Sequence, residues 1–500
     1  MDRDFGSGPA VSALEKLIVQ LFRMPGRRGT GIDVFLGDAA RAQHVLLSRA
    51  AADTRHLKSA SGQLLSEICS LVRRVPHRAE RDRFLLDPLF IEALHTAAGD
   101  SPSLAAWHRR IADPSVAGVW SAASLQGGKQ LGNSLLALLL RDDPHWQGNV
   151  VMQTDLFGRL RFPQCDWSIA LWPRFKGRDS VFSQQPITAS VTRRDVRLSL
   201  PGRPHDELLV MARQEWLRMI VGNAARLDCR QIVWPQGDVG LRLQFADRIP
   251  GWNVAYDPVV RGEGEHHAAL TGGLVAAALG AIAQHAPAVA AEFDATMSAV
   301  RGWELPSAES GTLQSFSDPT LPRVMGINIA YTADDQPRLC PFCFTWFGHE
   351  LGHTTSYLIE TILHVHGHSL TSCHGHFTQT IPRYGRIVPV RTLLQIPFTH
   401  LYEWILMIEF LEGGCSALPW TIADDPFVFA DDIRAEVAEA FDLIDREASV
   451  SAAGRVAVAR LHDLYLEVLE RWRRVRVRPG NLKAQPADSF EAQPRVISPF

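Results

Sequence analysis

One apolar stretch, residues 344–364, predicts the helix on which we expect the functional site to form: FTWFGHELGHTTSYLIETILH. It contains the pattern His349-Glu350-Leu351-Gly352-His353. On an α-helix, side chains four residues apart project from one face, about 6 Å apart along the axis. Two imidazoles at this spacing suit one divalent ion, and the Glu between them can reach a water at the metal as general base. The sequence therefore predicts a metal centre on His349 and His353, with Glu350 as the catalytic residue.

A third metal ligand is expected from beyond this stretch. Glu360 shares the helical face, but it lies seven residues past His353, about 10 Å along the axis, which is too far for a shared ion. The next apolar stretch, Thr392 to Phe410, contains His400 and Glu403. An ionisable pair in apolar surroundings is either a ligand source or a hydrogen-bonded pair of core residues. Glu403 is slightly preferred over His400, and the loop between the two stretches offers further histidines: His364, His366, His368, His374 and His376.

Cys340 and Cys343 stand at C-x-x-C spacing just before the motif. They could form a redox pair, or half of a structural zinc site with Cys373 and His376 as the other half. Buried reduced thiols are the favoured interpretation, since that second pair has no standard spacing. The chain has seven cysteines, an odd number without the pattern of a disulfide framework, which favours a cytoplasmic protein.

Composition excludes several classes of function. The chain is 46% hydrophobic and 21% charged with a formal net charge of −3, which is typical of a globular protein and gives no basic footprint for nucleic acid or an anionic membrane. The start of the sequence lacks the pattern of a signal peptide. The most apolar long stretch, Leu270 to Ala291, is interrupted by His285 and Pro287 and is typical of a buried helix.

Five hundred residues are too many for one compact core, so several domains are expected. We expect a helical scaffold or partner-binding domain over 1–148, a mixed β-rich segment over 149–265, a metal-binding catalytic domain over 266–478 and a Pro-rich tail over 479–500. The fold class that this organisation predicts is α+β, with a helical N-terminal region, a small mixed sheet and a zincin-like helical core around the HExxH helix.

Hydrophobic periodicity places the individual elements. Helices are predicted over Ala10–Phe22, Ala39–Ala51, Leu64–Val72, Phe84–Ala97, Ser101–Trp107, Gly132–Leu140, His266–Val300, Phe344–His364, Thr392–Phe410, Ala435–Ile444 and Val456–Val475. Strands are predicted over Trp167–Trp172, Asp195–Leu200, Arg230–Trp234, Val239–Phe245 and Val324–Tyr331.

Three stretches resemble a known family, the HExxH-motif proteins found beside modified-peptide gene clusters. The Ser/Pro-rich residues Ser315 to Gly326 resemble the turn and strand before the family's metal helix, His349 to Leu363 resembles that helix, and Pro382 to Leu394 resembles the Arg- and Pro-containing lead into the next one. The similarity covers about residues 265–415 and, more weakly, the strand from Asp195 to Pro201. Two positions depart from the family, which has Gln or Ala where Gly352 stands and a His close to Gln395.

Some members of that family are 2-oxoglutarate-dependent peptide hydroxylases, and the resemblance implies the same cofactors here. Fe(II) would be bound by His349, His353 and a carboxylate, with Glu403 completing a 2-His-1-carboxylate set. If the family's His near Gln395 is its third ligand, this chain must use His400 or Glu403. The distal carboxylate of 2-oxoglutarate needs a cation, and the planar fork of Arg suits it. Arg391 is the first choice for this role, ahead of Arg386 and Arg383.

Three functions follow from these residues. The first is a mononuclear non-haem iron, 2-oxoglutarate-dependent hydroxylase of a peptide or amino-acid-derived substrate. The second is a gluzincin-like zinc peptidase, in which the same ligands hold zinc and Glu350 activates water. The third is a non-catalytic scaffold with a structural metal, whose helical N-terminal region binds a partner. An open coordination position disfavours this last function, since structural zinc usually has four protein ligands.

Overall fold

A computed structural model gives the architecture. It describes residues 9–29, 31–54, 60–97, 101–111, 131–155, 158–165, 167–173, 185–201, 203–221, 239–245, 247–259, 265–303, 315–319, 321–328, 330–331, 337–338, 343–371, 378–381, 386–413, 426–447 and 449–476. The chain divides into two compact units, one made of residues 1–35, 113–116 and 248–500, the other of residues 36–112 and 117–247. The second unit is thus inserted within the first along the sequence.

The inserted unit combines helices with two antiparallel sheets. Its sheets have the strand orders β1-β4-β5-β6 and β2-β3-β7. Its helices are the greater part of α2 (Gly31–Thr54), α3 (Ala60–Arg74), α4 (Arg78–Leu85), α5 (Pro88–Thr96), α6 (Pro102–Ile111), α7 (Leu131–Asp142) and α8 (Arg213–Val221). Its strands are β1 (Gly148–Gln153), β2 (Arg159–Arg161), β3 (Trp167–Pro173), β4 (Pro186–Val191), β5 (Asp195–Leu200), β6 (Arg203–Ala212) and β7 (Val239–Phe245).

The other unit contains a mixed sheet of order β11-β12-β10-β9-β8. In register, the fully buried Val300 on β10 lies between Tyr256 on β9 and Met325 on β12, with both neighbouring strands parallel to it. The strands here are β8 (Asp247–Arg248), β9 (Ala255–Val259), β10 (Ala299–Trp303), β11 (Ser315–Asp318), β12 (Leu321–Asn328) and the short pairs β13 (Ala330–Tyr331) with β14 (Pro337–Arg338) and β15 (Thr378–Ile381) with β16 (Arg386–Pro389). The helices are α1 (Pro9–Leu21), α9 (Glu265–His285), α10 (Pro287–Thr296), α11 (Cys343–Val365), α12 (Val390–Glu412), α13 (Pro426–Arg446) and α14 (Ala452–Arg476).

Helices α11 and α12 approach each other closely because two glycines of α11 face α12. A Cβ atom on Gly352 would lie 2.8 Å from the Cα of Thr399, and one on Gly348 would lie 3.1 Å from the carbonyl oxygen of Tyr402. Real side chains do not tolerate such distances, so the glycines permit this packing.

A buried ion pair fixes the segment after α1. The guanidinium of Arg28 donates through Nε to Glu292 Oε1 (3.0 Å) and through Nη2 to the carbonyl of Leu21 (2.8 Å). Glu292 also accepts the backbone N–H of Gly26 and the hydroxyl of Tyr402 on α12. Because the side chains of Arg28, Glu292 and Tyr402 are buried, their mutual hydrogen bonds offset the cost of removing the charges from water.

Most predicted elements are confirmed, with two corrections. The single helix predicted over Phe84–Ala97 is two helices, because Asp87 caps α5 by accepting the N–H of Leu89 and Pro88 opens that helix. The long helix predicted over His266–Val300 ends at His285. Pro287 starts α10, and residues 299–303 form β10 instead.

The predicted domain boundaries at 148 and 265 do not coincide with the division into units, since residues 1–35 belong with the C-terminal part of the chain. The predicted strand at Arg230–Trp234 and the Pro-rich tail from 479 lie outside the described residues. Within the part that the structure covers, no helix combines the length and apolarity needed to cross a membrane.

Candidate metal centre

The two motif histidines meet at their outer ring nitrogens. His349 and His353 are both buried on α11, and their Nε2 atoms are 3.1 Å apart. Two nitrogens bound to one ion at about 2.1 Å, with tetrahedral or octahedral angles, are separated by roughly 3.0 to 3.4 Å. The spacing predicted from the sequence therefore produces a pair of donor atoms that fits one divalent ion.

The other ring nitrogen of His349 faces a carboxylate from α12. Its Nδ1 lies 3.4 Å from Glu403 Oε1. A carboxylate accepting the Nδ1–H favours the tautomer whose Nε2 carries the lone pair, which is the form that binds a metal. Glu403 thus reaches His349 on the side away from His353 and acts on the ring's orientation.

The contacts continue past Glu403 into a third helix. The second carboxylate oxygen of Glu403 makes a short hydrogen bond with His400 Nδ1, and His400 Nε2 lies 2.9 Å from Oε1 of Glu436 on α13. All three side chains are buried. Both ring nitrogens of His400 are therefore engaged by carboxylates.

Helices α11 and α12 together provide a buried His–His–Glu group that could hold a metal ion. His349, His400 and Glu403 each offer a ligand atom, and these atoms lie within 4.8 Å of one another. His349 is thus common to two adjacent positions, one at its Nε2 with His353 and one at its Nδ1 with Glu403 and His400. The Nε2 position is the one we favour, because there two ring nitrogens face each other at 3.1 Å, whereas the Nδ1 position is already bridged by hydrogen bonds.

Electrostatics supports this division of roles. Burial opposes ionisation of Glu403, but the neighbouring His349 and His400 outweigh it and lower the pKa of Glu403 to about 2. Burial lowers the pKa of His349, but Glu403 more than compensates and raises it. Burial, together with His349, holds the pKa of His353 well below its usual value. Glu403 is therefore a carboxylate and His353 a neutral donor, and a metal would replace the proton on His349 Nε2.

Glu350 lies on α11 against strand β11 and is 1% exposed. The hydroxyl of Ser315 donates to its Oε1 at 2.6 Å, while its Oε2 has no hydrogen-bond partner among the described residues. Burial raises the pKa of Glu350 above its usual value, against the opposing effects of His349 and the Ser315 hydrogen bond. A carboxyl group held by one oxygen, with the other left over, is arranged to exchange a proton with a bound molecule.

A polar group lies beside His353 and contains the arginine that the family resemblance singled out. The ring of Tyr357 stacks on His353 with centroids 5.9 Å apart, and the guanidinium of Arg391 lies 5.2 Å from the Tyr357 centroid. Arg391 donates through Nε to Glu360 (2.7 Å), and Gln395 donates to the other oxygen of Glu360 (3.2 Å). Glu360, which the sequence indicates is too far from His353 to share an ion with it, therefore pairs with Arg391.

For the remaining predicted site residues, the structure gives only the position in the fold or no position at all. Arg386 is the first residue of β16, and Cys343 is the first residue of α11. The structure describes the backbone of these two residues. His364 lies in the last turn of α11 and His366 and His368 follow it. The other candidates lie outside the described residues, namely Arg383, Cys340, Cys373, His374 and His376.

Three residues of the centre were missed by sequence reasoning. Ser315 enters the sequence analysis only through the family resemblance, and no role is predicted there for Tyr357 or Glu436. Glu436 carries a signal that could have been used, because it occupies a core position of α13 between Ile433 and Ala440. A carboxylate on the apolar face of a helix must be paired.

Comparisons with known proteins add no relative. No family model matches this chain, and a search of curated proteins finds no similar sequence. The family resemblance therefore depends on the motif residues alone.

Proposed function

We propose that this chain is a mononuclear non-haem iron, 2-oxoglutarate-dependent hydroxylase of a peptide or amino-acid-derived substrate, built on a zincin-like core of α11 and β11–β12. The observation that carries this proposal is the position of Arg391, a cation separated from the ligand His353 by one aromatic ring, Tyr357. A dicarboxylate cosubstrate bound at the metal needs a cation at such a position.

Each residue of the centre has a defined task in this reaction. His349 and His353 would bind Fe(II) through Nε2. Glu403, expected from the sequence as the carboxylate ligand, would instead hold the His349 ring through Nδ1, and the third ligand stays unassigned. When bound, iron with 2-oxoglutarate and O2 supplies an oxidant that removes hydrogen from an unactivated C–H bond, giving a hydroxylated product, succinate and CO2. The buried surroundings of Glu350 would keep bulk water away and let that carboxyl group hold or release a proton next to the substrate.

Arg391 would bind the distal carboxylate of 2-oxoglutarate. Its bond through Nε to Glu360 fixes the plane of the guanidinium, and a planar fork of fixed orientation suits a carboxylate. Arg391→Ala should raise the 2-oxoglutarate concentration for half-saturation at least a hundredfold, since a broken Arg–carboxylate pair costs several kcal/mol and about 1.4 kcal/mol corresponds to a factor of ten.

Metal content should not change in Arg391→Ala, and Arg391→Lys should rescue only in part. Arg386→Ala and Arg383→Ala are the matched controls. If all three alanine variants saturate with 2-oxoglutarate as the parent does, Arg391 is not the anchor.

A zinc hydrolase is the second candidate, and the state of Glu350 favours it. Its unpartnered Oε2 and raised pKa are what a general base needs to take a proton from an attacking water while Ser315 holds the other oxygen. Glu350→Gln should then abolish turnover with the metal retained. In the oxygenase a partial loss is expected, because Glu350 does not take the substrate hydrogen.

One experiment separates the functions. The protein is purified without oxygen, its metal is measured, and 2-oxoglutarate turnover is followed by succinate formation with Fe(II) added. Iron-dependent succinate formation supports the hydroxylase. Zinc retained with peptide cleavage and no succinate supports the hydrolase, and a bound metal with neither activity supports the scaffold.

A further inference from the structure

The contacts behind His349 extend across three helices and end at a residue that the proposed reaction does not use. They run from His349 on α11 to Glu403 and His400 on α12 and finally to Glu436 on α13. Glu436 is 5% exposed, and its Oε1 faces the Nε2 of His400 at 2.9 Å. A carboxylate is rarely buried to this extent unless it is paired.

We propose that Glu436 is a positioning residue for the metal centre. It holds His400, His400 holds Glu403, and Glu403 holds His349 with Nε2 turned toward His353. The inference rests on the metal site of the proposed function and is independent of the reaction that the metal supports.

Hydrogen-bond chemistry gives the direction of this effect. Each ring nitrogen of His400 lies within hydrogen-bond distance of a carboxyl oxygen, Nδ1 of one from Glu403 and Nε2 of one from Glu436. Fixed between two carboxylates, the His400 ring cannot rotate without breaking a buried charge-assisted bond. Glu403 is thereby held at its own position, where it accepts from His349.

The electrostatic effect has the same sign. Two buried carboxyl groups, those of Glu403 and Glu436, flank the single imidazole ring of His400, so acidic groups outnumber basic ones behind His349, beside the place for a cation. Partners behind a metal-binding histidine typically change metal affinity by about 10- to 100-fold when they are mutated. Since Glu436 acts through two intermediate residues, we expect an effect at the lower end of this range.

The test uses Zn²⁺ as the probe and measures its dissociation constant by competition with a chromogenic chelator. Glu436→Gln keeps the size and an acceptor oxygen but removes the charge, and it should weaken zinc binding about tenfold. Glu436→Ala, which also removes the acceptor, should weaken binding more. The matched control is Glu439→Gln, which removes the same charge from the same helix at a half-buried position and should leave zinc affinity unchanged.

A double-mutant cycle distinguishes positioning from a general effect on the fold. If Glu436 acts through Glu403, then Glu436→Gln should weaken binding in the parent but have almost no further effect in a Glu403→Gln protein. Independent losses that multiply would overturn the inference, as would an unchanged zinc affinity in Glu436→Gln. Two equivalents of zinc per chain would also overturn it, since Glu403 and His400 would then be ligands. A parent that binds no zinc removes the metal site itself and with it the proposed function.

Discussion

Two buried clusters of charged residues meet neighbouring residues of helix α12, and they differ in how completely their groups are paired. In the first, Tyr402 joins the pair of Arg28 and Glu292, whose carboxylate accepts from a backbone N–H, a guanidinium and a phenol. Burial and the nearby Glu292 carboxylate raise the pKa of Tyr402, so its hydroxyl stays protonated and donates. We call this the closed cluster, because its carboxylate is paired with a guanidinium and two further hydrogen-bond donors.

The second cluster begins one residue later, at Glu403, and it is open. Glu350 keeps an oxygen without a hydrogen-bond partner in the described part of the chain, and the outer nitrogens of His349 and His353 face each other at a distance that suits a shared ion. Buried polar groups are almost always paired, so an unpaired one needs an explanation. The comparison teaches that burial alone does not identify a functional site. A buried group is a better indication when it includes atoms that are placed to bind a ligand or a metal ion.

The largest effect should come from removing a donor of the open cluster. His349→Ala or His353→Ala should reduce bound metal from stoichiometric to none while the fold is kept, since each removes one of two facing nitrogens. Metal content after dialysis against a weak chelator measures this, with circular dichroism as the check on folding. Stoichiometric metal in both variants would show that the ion binds elsewhere.

Breaking the closed cluster should instead destabilise the protein. Arg28→Ala leaves the buried Glu292 carboxylate without its cation and should cost about 3–5 kcal/mol in the free energy of unfolding. The matched control is Arg27→Ala, because Arg27 forms an exposed ion pair with Glu467 and should cost about 1 kcal/mol or less. Both are measured by denaturant unfolding, and equal losses would contradict the contrast between the clusters.

A smaller loss is expected where α11 and α12 touch. Gly352→Ala places a methyl group against the backbone of Thr399 and should cost about 1–3 kcal/mol by overpacking. Gly280→Ala on α9 is the control, because nothing lies within 4 Å of its added Cβ, and it should stabilise the helix by about 0.5–1 kcal/mol. A Gly352→Ala protein as stable as the parent would show that the two helices are not held at this distance.

The smallest effect concerns the pH dependence of the metal-free protein. Burial raises the pKa of Glu350, so the folded chain keeps this proton where the unfolded chain loses it. Its contribution to stability is present below the ordinary pKa of about 4.5 and is lost as the pH rises through the raised value. Glu350→Gln should therefore become more stable relative to the parent as the pH rises above about 4.5, by about 1.4 kcal/mol for each unit by which the pKa of Glu350 is raised.

Urea unfolding of the two metal-free proteins at several pH values measures the difference. Glu439→Gln, which removes a carboxyl group from a half-buried position on α13, is the matched control. A difference that changes in the opposite direction would mean that Glu350 is stabilised as a carboxylate within the fold.

The sequence predicted the site helices closely because their apolar residues are strongly periodic. The predicted Phe344–His364 is Cys343–Val365, and the predicted Thr392–Phe410 is Val390–Glu412. Helical spacing also brought His349 and His353 onto one face, since that depends on local geometry alone.

Sequence reasoning could not establish which ring nitrogen of His349 meets Glu403. Spacing identifies the face of a helix, but the rotamers and the approach of a second helix decide which atoms meet. The role of Glu436 was out of reach for the same reason, since it depends on how α13 packs against α12. In the stretch 266–300, Pro287 is visible in the sequence, but the uniformly Ala-rich composition leaves no periodicity that would show one helix ending and another beginning there.

The pair of Arg28 and Glu292 also bears on how the protein is made. Its two residues are separated by 264 positions, and the whole inserted unit lies between them in the sequence. At translation rates of 5–20 residues per second, Arg28 waits roughly 13 to 53 s on the ribosome for its partner. We expect the inserted unit to fold during that interval, so that the unit with the candidate metal centre is completed only after the inserted unit has formed.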